Sequence, residues 1–352
     1  MLLGHVKSAS DAIRVAHGLA PYDRFVLRSF VRFLLHSRKP DEALHLLRSN
    51  PKTPTDPWLV ASETALSSVL DKSPKFLKLG HKLIQDANYS PFHTSELASA
   101  LGSFEMFAGN NRAANKMFRL ALRNPNDNAL AQIVWSSKRT GFTEIEENAL
   151  ALPNAAEAVA LDHHNNGRWS DVVLQSKAWA EEESFSSRPH LLASGVSASL
   201  LKDPQMGIEI AEAGLPTNPG HPGLLNNIAF SQALLGRPDE ALISIEKVDR
   251  KLVSATDAIC LLATIGLAYF RGGNIAEGTR HYEAAIDAAR RAAKPTLQTL
   301  ARLYFGRELY LKGDSRGLVL VQDAHESAQK FKTTTIPAVA DAVLSETAKS
   351  PA

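Results

Sequence analysis

The 352-residue sequence predicts an all-α fold, a solenoid of stacked antiparallel helix pairs, and three observations carry that prediction. Aromatic residues make up only 7% of the chain while Ala and Leu are abundant and β-branched alternation is scarce, which favours helices over strands. Pro and Gly act as punctuation: Asn124-Pro-Asn-Asp127, Pro216-Thr-Asn-Pro-Gly220, Arg271-Gly-Gly-Asn274 and Lys312-Gly-Asp314 each separate apolar runs of helical spacing. The chain also repeats itself. Arg38-Lys-Pro-Asp-Glu-Ala-Leu44 returns as Arg237-Pro-Asp-Glu-Ala-Leu242, each placing a Pro and two acids where a helix begins. Pro wastes no backbone donor in a first turn, and the helix dipole favours the acids there.

Taken in order, residues 1–21 are expected to form an N-terminal capping helix centred on Ser10 to His17. Helix pairs follow through 22–126, 127–252 and 253–332, and 333–352 hold a terminal helix, Ile336 to Leu344, with a frayed tail. A full unit reads Leu101-Gly102, Gly109, Ala114, Phe118, Ala121-Leu122, Pro125, and it recurs as Ile265-Gly266, Tyr269, Gly273, Gly278, Tyr282, Ala285. Gly102 or Gly266 lets the first helix approach its neighbour, and Gly109 or Gly273 ends it in a left-handed cap. Phe118 or Tyr282 fills the space between the helices.

These residues and spacings resemble the tetratricopeptide repeat (TPR), a helix-turn-helix unit of about 34 residues. Tracking the anchor of each first helix gives Val31, Ser62, Gly102, Ala160, Gly195, Ala229, Gly266 and Gly306, with gaps of 31, 40, 58, 35, 34, 37 and 40 residues. The long gap holds Ala129 to Arg139 and Glu144 to Leu152, read as a degenerate pair with a shortened second helix. Val31 and Ser62 depart from the usual small anchor, and Arg38 stands where a turn Gly is usual. The resemblance spans roughly residues 10 to 330 and implies a right-handed superhelix of about eight or nine units.

Sites for chemistry are sparse. No Gly-Lys-Ser/Thr phosphate loop, Gly-x-Gly-x-x-Gly, Gly-x-Ser-x-Gly or His-Glu-x-x-His occurs, so no catalytic residue, metal or cofactor is expected. Gly195, inside a helix, is assigned a packing role. His163 and His164 point about 100° apart on a helix, so they do not form a ligand pair; one is expected at a helix junction, the other toward solvent or the groove. Cys260 lies in the apolar run Ala258 to Ala263 and is expected to be a buried structural thiol, the chain's only cysteine, in a reducing compartment read as the cytoplasm. Trp58, Trp135, Trp169 and Trp179 are assigned to core packing. The apolar opening Met1 to Leu3 is too short for an export signal, and Ala258 to Phe270 is too short to span a bilayer.

The resemblance places binding on the concave face made by the first helices, at positions three and two before each anchor and one and four after it. That offset selects Arg28 and Arg32, Leu59 and Glu63, Ser99 and Met106, then Glu157, Leu161 and His164. It goes on to Asn226, Asn227 and Phe230, then Thr264, Phe270, Leu303, Tyr304, Arg307 and Tyr310. The asparagines could bond the backbone of an extended peptide. Phe270, Tyr304, Arg307 and Tyr310 form the expected anchor patch, because aromatic residues and Arg dominate binding hot spots; contact with the last helices is the competing reading. The Lys and Asn pattern with which some TPR proteins clamp a chaperone tail is missing, since Leu192 and Val196 stand where it would need donors.

The expected function is therefore a non-enzymatic scaffold or adaptor holding a partner protein or peptide. The net charge of +2 hides a gradient that keeps an alternative open. Residues 1–125 carry 17 Lys or Arg against 10 Asp or Glu, 126–252 carry 10 against 17, and 253–352 carry 12 against 10. A basic first third would suit a regulatory or sensor subunit that acts with a nucleic acid or a nuclease-type effector. Head-to-tail self-association, basic end to acidic middle, is the other consequence of the gradient.

Overall fold

The computed structural model describes residues 6–86 and 88–349. The first five residues and the last three, within the expected cap and tail, lie outside them. The described residues are helical throughout, without a strand. The chain divides once into two compact units, the first ending at Asp162 and the second beginning at His163. That division falls inside the group of helix pairs expected at 127–252.

The first unit opens on α1 (Val6–Leu19), then pairs α2 (Arg24–His36) with α3 (Pro40–Ser49), α4 (Pro57–Val69) with α5 (Leu77–Gln85), and α6 (Pro91–Phe107) with α7 (Asn111–Ala121). α8 (Asp127–Thr140) is followed by a short 3₁₀ turn, Glu147–Ala151, where the shortened second helix is expected, and α9 (Ala156–Asn165) comes next. The second unit holds α10 (Trp169–Glu182) and pairs α11 (Arg188–Ser199) with α12 (Pro204–Gly214) and α13 (Pro222–Leu234) with α14 (Pro238–Glu246). α15 (Ala255–Arg271) pairs with α16 (Ile275–Arg291), α17 (Pro295–Leu311) with α18 (Arg316–Ala328), and α19 (Thr335–Lys349) closes the unit. Every expected anchor falls on a helix, from Val31 on α2 to Gly306 on α17, and all but Ala160 of α9 fall on the first helix of a pair.

Local chemistry fixes the ends. Pro40 and Pro238 open α3 and α14 with two acids each in the first turn. Asp56 caps α4 by accepting from the backbone N–H of Trp58 and Leu59, and Ser254 with Asp257 forms a capping box on α15. Gly109 and Gly273 adopt φ of 82° and 84°, the left-handed turns expected of them. Arg38 takes φ 60° without a glycine's freedom, a strain of roughly 1 kcal/mol.

Packing depends on how closely the two helices of a pair approach. A Cβ on Gly102 would lie 2.5 Å from the Phe118 ring, and one on Gly266 2.8 Å from the Tyr282 ring. Phe118 and Tyr282 are accordingly among the most deeply buried side chains. α17 and α18 meet backbone to backbone: a Cβ on Gly306 would lie 2.8 Å from the Gly317 carbonyl, and one on Gly317 would collide with the Gly306 carbonyl and the Tyr310 amide. First helices also pack sideways on each other, α4 on α6 and α6 on α8 in the first unit, α11 on α13, α13 on α15 and α15 on α17 in the second. The core is therefore a continuous line of small clusters within each unit.

Gly317→Ala should lower stability by about 1–3 kcal/mol, because backbone atoms cannot yield to the added methyl. Gly313→Ala, at φ 84° with open space around it, should cost about 1 kcal/mol through conformation alone. Urea unfolding of both variants ranks the two effects.

Candidate functional site

In the first unit the row of first helices is held together by polar groups. Arg28 is ion-paired with Glu96 at 2.9 Å and its guanidinium lies over the Trp58 ring at 4.6 Å. Glu96 also accepts from the side-chain amides of Asn126 at 2.7 Å and Asn128 at 3.1 Å. Arg24 pairs with the buried Asp56 at 2.6 Å and also lies over Trp58. Arg32 is exposed. It acts on Asp127, whose carboxyl is raised above the usual range chiefly by burial, with Glu96 adding to the rise and Arg32 opposing it.

Glu63, expected on the groove, is instead fully buried. It accepts from Arg48 Nε at 2.7 Å, Ser67 Oγ at 3.0 Å and the Lys75 backbone N–H at 3.0 Å, all within the α3–α4–α5 junction. Leu59 is buried as well. Trp58 and Trp135 are half-buried, each with a guanidinium on its ring, that of Arg139 lying 3.9 Å from Trp135; Trp135 also packs against the core cluster around Phe118 and Ile133. Trp179 alone of the four is fully buried.

The second unit contains a cavity of about 340 Å³, bounded by the first helices α11, α13, α15 and α17, the end of α9, and α19. Six of the residues the offset selects, His164, Asn226, Asn227, Phe230, Thr264 and Tyr304, line it. Phe230 meets Tyr304 edge to face at 5.3 Å. The Asn226 carbonyl oxygen accepts from Thr264 Oγ1 at 2.9 Å. Asn227 donates to Ser194 Oγ at 2.8 Å and to the Leu191 carbonyl at 3.2 Å, so its amide hydrogens bind α11 and not a peptide backbone. Cys260 is half-buried in the wall, and burial, aided by Asp257, pushes its thiol up to about 11. Tyr304 is pushed up to about 12 by burial.

Two members of the expected anchor patch are corrected by their burial. Phe270 is wholly enclosed between Tyr282 and Phe305. Arg307 is 4% exposed, with its charge engaged by Glu308 at 2.8 Å and by Glu346 of α19 at 3.4 Å. Burial alone would lower the Arg307 guanidinium; the neighbouring Glu308 carboxylate, reinforced by Tyr304, Tyr282 and Glu346, more than restores it. Leu303 is buried and Tyr310 half-buried. The offset fails at these positions because the sideways packing of first helices covers the edges of the stripe it selects.

The wall contributed by α19 is absent from the sequence-based site. Thr335, Ile336 and Val339 line the cavity. Thr335 Oγ1 is 2.7 Å from His164 Nε2, Thr334 Oγ1 donates to the Asn165 carbonyl at 2.6 Å, and Glu346 reaches Lys202 at 3.2 Å. Beneath, Val339, Ala340 and Val343 pack with Leu303 and Val321. His164 stands edge-on to Trp169 and is held below the usual imidazole range by burial, which fits a junction rather than an ion site. Among the described residues no group of three or more His, Cys, Asp or Glu is placed to hold a metal ion, and no helix is long and apolar enough to cross a membrane.

Consecutive helix pairs, glycine-tight crossings and a face lined by first helices define a helical repeat fold of the TPR type. Solved structures agree. A chain of the APC/C hetero-tetramer Cut9-Hcn1 superposes with a TM-score of 0.51 at 12% identity, over 98% of this chain and 59% of that one. Human IFIT1, solved as a dimer with PPP-AAAA, superposes with a TM-score of 0.50 at 17% identity, over 98% of this chain and 87% of that one. The chain thus spans less than two thirds of the first of these. No family model and no curated protein sequence matches it.

Two outcomes follow from the buried groups. Glu63→Ala should cost about 1–3 kcal/mol in denaturant unfolding, since it leaves the Ser67 hydroxyl and the Lys75 backbone N–H without their acceptor and removes the partner of Arg48. Cys260, shifted from an ordinary 9 to about 11, should be alkylated at pH 8 roughly a hundredfold more slowly in the folded chain than in the unfolded one.

Proposed function

We propose that the chain is a non-enzymatic scaffold that holds a segment of another protein against the first-helix face of its second unit. The observation that carries this reading is α19. A helix of the chain's own reaches this face: α19 packs Val339 and Val343 on α17 and its partner α18, meets His164 through Thr335, and is tied to Arg307 by Glu346. A surface that binds one amphipathic helix offers another the same apolar floor and the same polar ends. Asn226, Asn227, Phe230, Tyr304 and Tyr310, all half-buried, are expected residues of this unit that keep surface for such contact, with Phe230 and Tyr310 the ones chosen for the test. The lone, protonated Cys260 suits a reducing compartment such as the cytoplasm.

A nucleic-acid partner for the basic first third is the weaker reading. Affinity for phosphates comes from cations able to exchange counterions. Arg24, Arg28 and Arg48 are instead engaged by Asp56, Glu96 and Glu63 within their own unit. Arg32 remains exposed, and loss of salt-dependent RNA binding on changing Arg28 and Arg32 together would favour this second reading.

Photo-crosslinking decides the main one. A benzoyl-phenylalanine at position 230 or 310 should capture a partner that the same group at Ile243, exposed on the second helix α14, does not. Equal capture from all three positions would refute a binding role for the first-helix face.

A further inference from the structure

One glycine of the array does not behave like the other anchors. Gly195 occupies the repeat position held by Gly102, Gly266 and Gly306, yet a Cβ there would meet only Asn227 Nδ2, at an unstrained 3.8 Å. Packing between helices therefore does not require it, contrary to the role its sequence context suggests. An interior helical glycine costs roughly 1 kcal/mol relative to alanine. What its missing side chain provides is room, because Gly195 lines the cavity of the second unit.

The remaining wall describes what would fill that room. At about 340 Å³ the cavity falls within the range of small-molecule sites. No Lys, Arg, Asp or Glu lines it among the described residues, and its surface is mainly apolar, with Ile259, Ala263, Leu300 and Ile336 contributing. A charged guest would lose its hydration without a counter-charge. Donors are nevertheless on offer, the Tyr304 hydroxyl among them, and the Asn226 amide nitrogen is placed beside Thr264: the Asn226 carbonyl is used by Thr264, while the nitrogen has no partner among the described residues.

We propose that this cavity binds an uncharged, mainly apolar small molecule bearing a carbonyl acceptor, of the class of medium-chain acyl esters. The acyl chain lies over Gly195 between α11 and α19, and the ester carbonyl accepts from the Asn226 amide. The cavity shares the first-helix face and Phe230 with the peptide-binding reading, but the small-molecule inference does not rest on that reading. Its wall includes α19, so an occupied cavity also holds that helix in place.

The test uses the full chain and N-phenyl-naphthylamine, a neutral fluorophore, with anilinonaphthalene sulfonate as its anionic counterpart. The neutral dye should bind saturably and be displaced by methyl decanoate, with decanoate at least about tenfold weaker. Gly195→Leu, which grows into the open space, should stay folded and lose the dye by at least about tenfold; Ala263→Leu serves the same purpose if that variant unfolds. Asn226→Leu should keep the dye but abolish the preference for methyl decanoate over decane. Amide exchange across 335–349 should slow when the ester is bound. Absence of saturable neutral-dye binding, equal binding of the anionic dye, or full dye binding by a folded filled-cavity variant overturns the proposal.

Discussion

Where Gly102, Gly266 and Gly306 face the second helix of their pair, an aromatic ring or a carbonyl occupies the space that a methyl group would need. That contact distance governs what can be built on it. Helices so close bury Phe118 and Tyr282 completely, and the pair becomes a unit with a definite thickness. Units of fixed thickness can then lay their first helices side by side, which is how α11, α13, α15 and α17 come to share one face. Gly195 keeps the register without the close contact, and the space left over is the cavity.

Carboxylates buried beside first helices are the second element of the design. Asp56, Glu63 and Glu308 are each at most 1% exposed and each accepts from an arginine on another helix. A buried charge is tolerated only when paired and hydrogen-bonded, so these groups fix which helix faces which more than they add net stability. They also change the meaning of the charge gradient. Arg24, Arg28 and Arg48 are engaged inside the first unit, which makes the part of the face of α2, α4 and α6 that they and their partners occupy a structural network rather than an electrostatic lure.

The repeat architecture was legible because its signals are local. Pro-Asp-Glu-Ala starts, glycine turns and small anchors act within one pair, and each is found where expected, from Pro40 to Gly273. The terminal helix was legible for the same reason. Its destination was not, since the bonds from Thr334 and Thr335 to Asn165 and His164 join residues about 170 positions apart, and no local pattern encodes such a pairing. The offset that selects Asn226, Phe230 and Tyr304, which line the cavity, also selects the buried Glu63, Phe270 and Arg307, because it describes a single helix and ignores the neighbours that bury the edges of its stripe. Gly195 shows the converse limit: four anchors share a sequence position, and only their surroundings reveal that one of them supports a cavity.

In the second unit α19 packs on α17 and α18 and walls one side of the cavity, and the contact between Thr335 and His164 reports on that placement directly. A double-mutant cycle with Thr335→Val and His164→Phe, read by denaturant unfolding, measures that contact free of the separate effect of each change. A coupling energy of roughly 1 kcal/mol is predicted, the usual worth of a part-buried hydrogen bond. Strict additivity of the two substitutions would contradict the docking of α19 and, with it, the enclosed face.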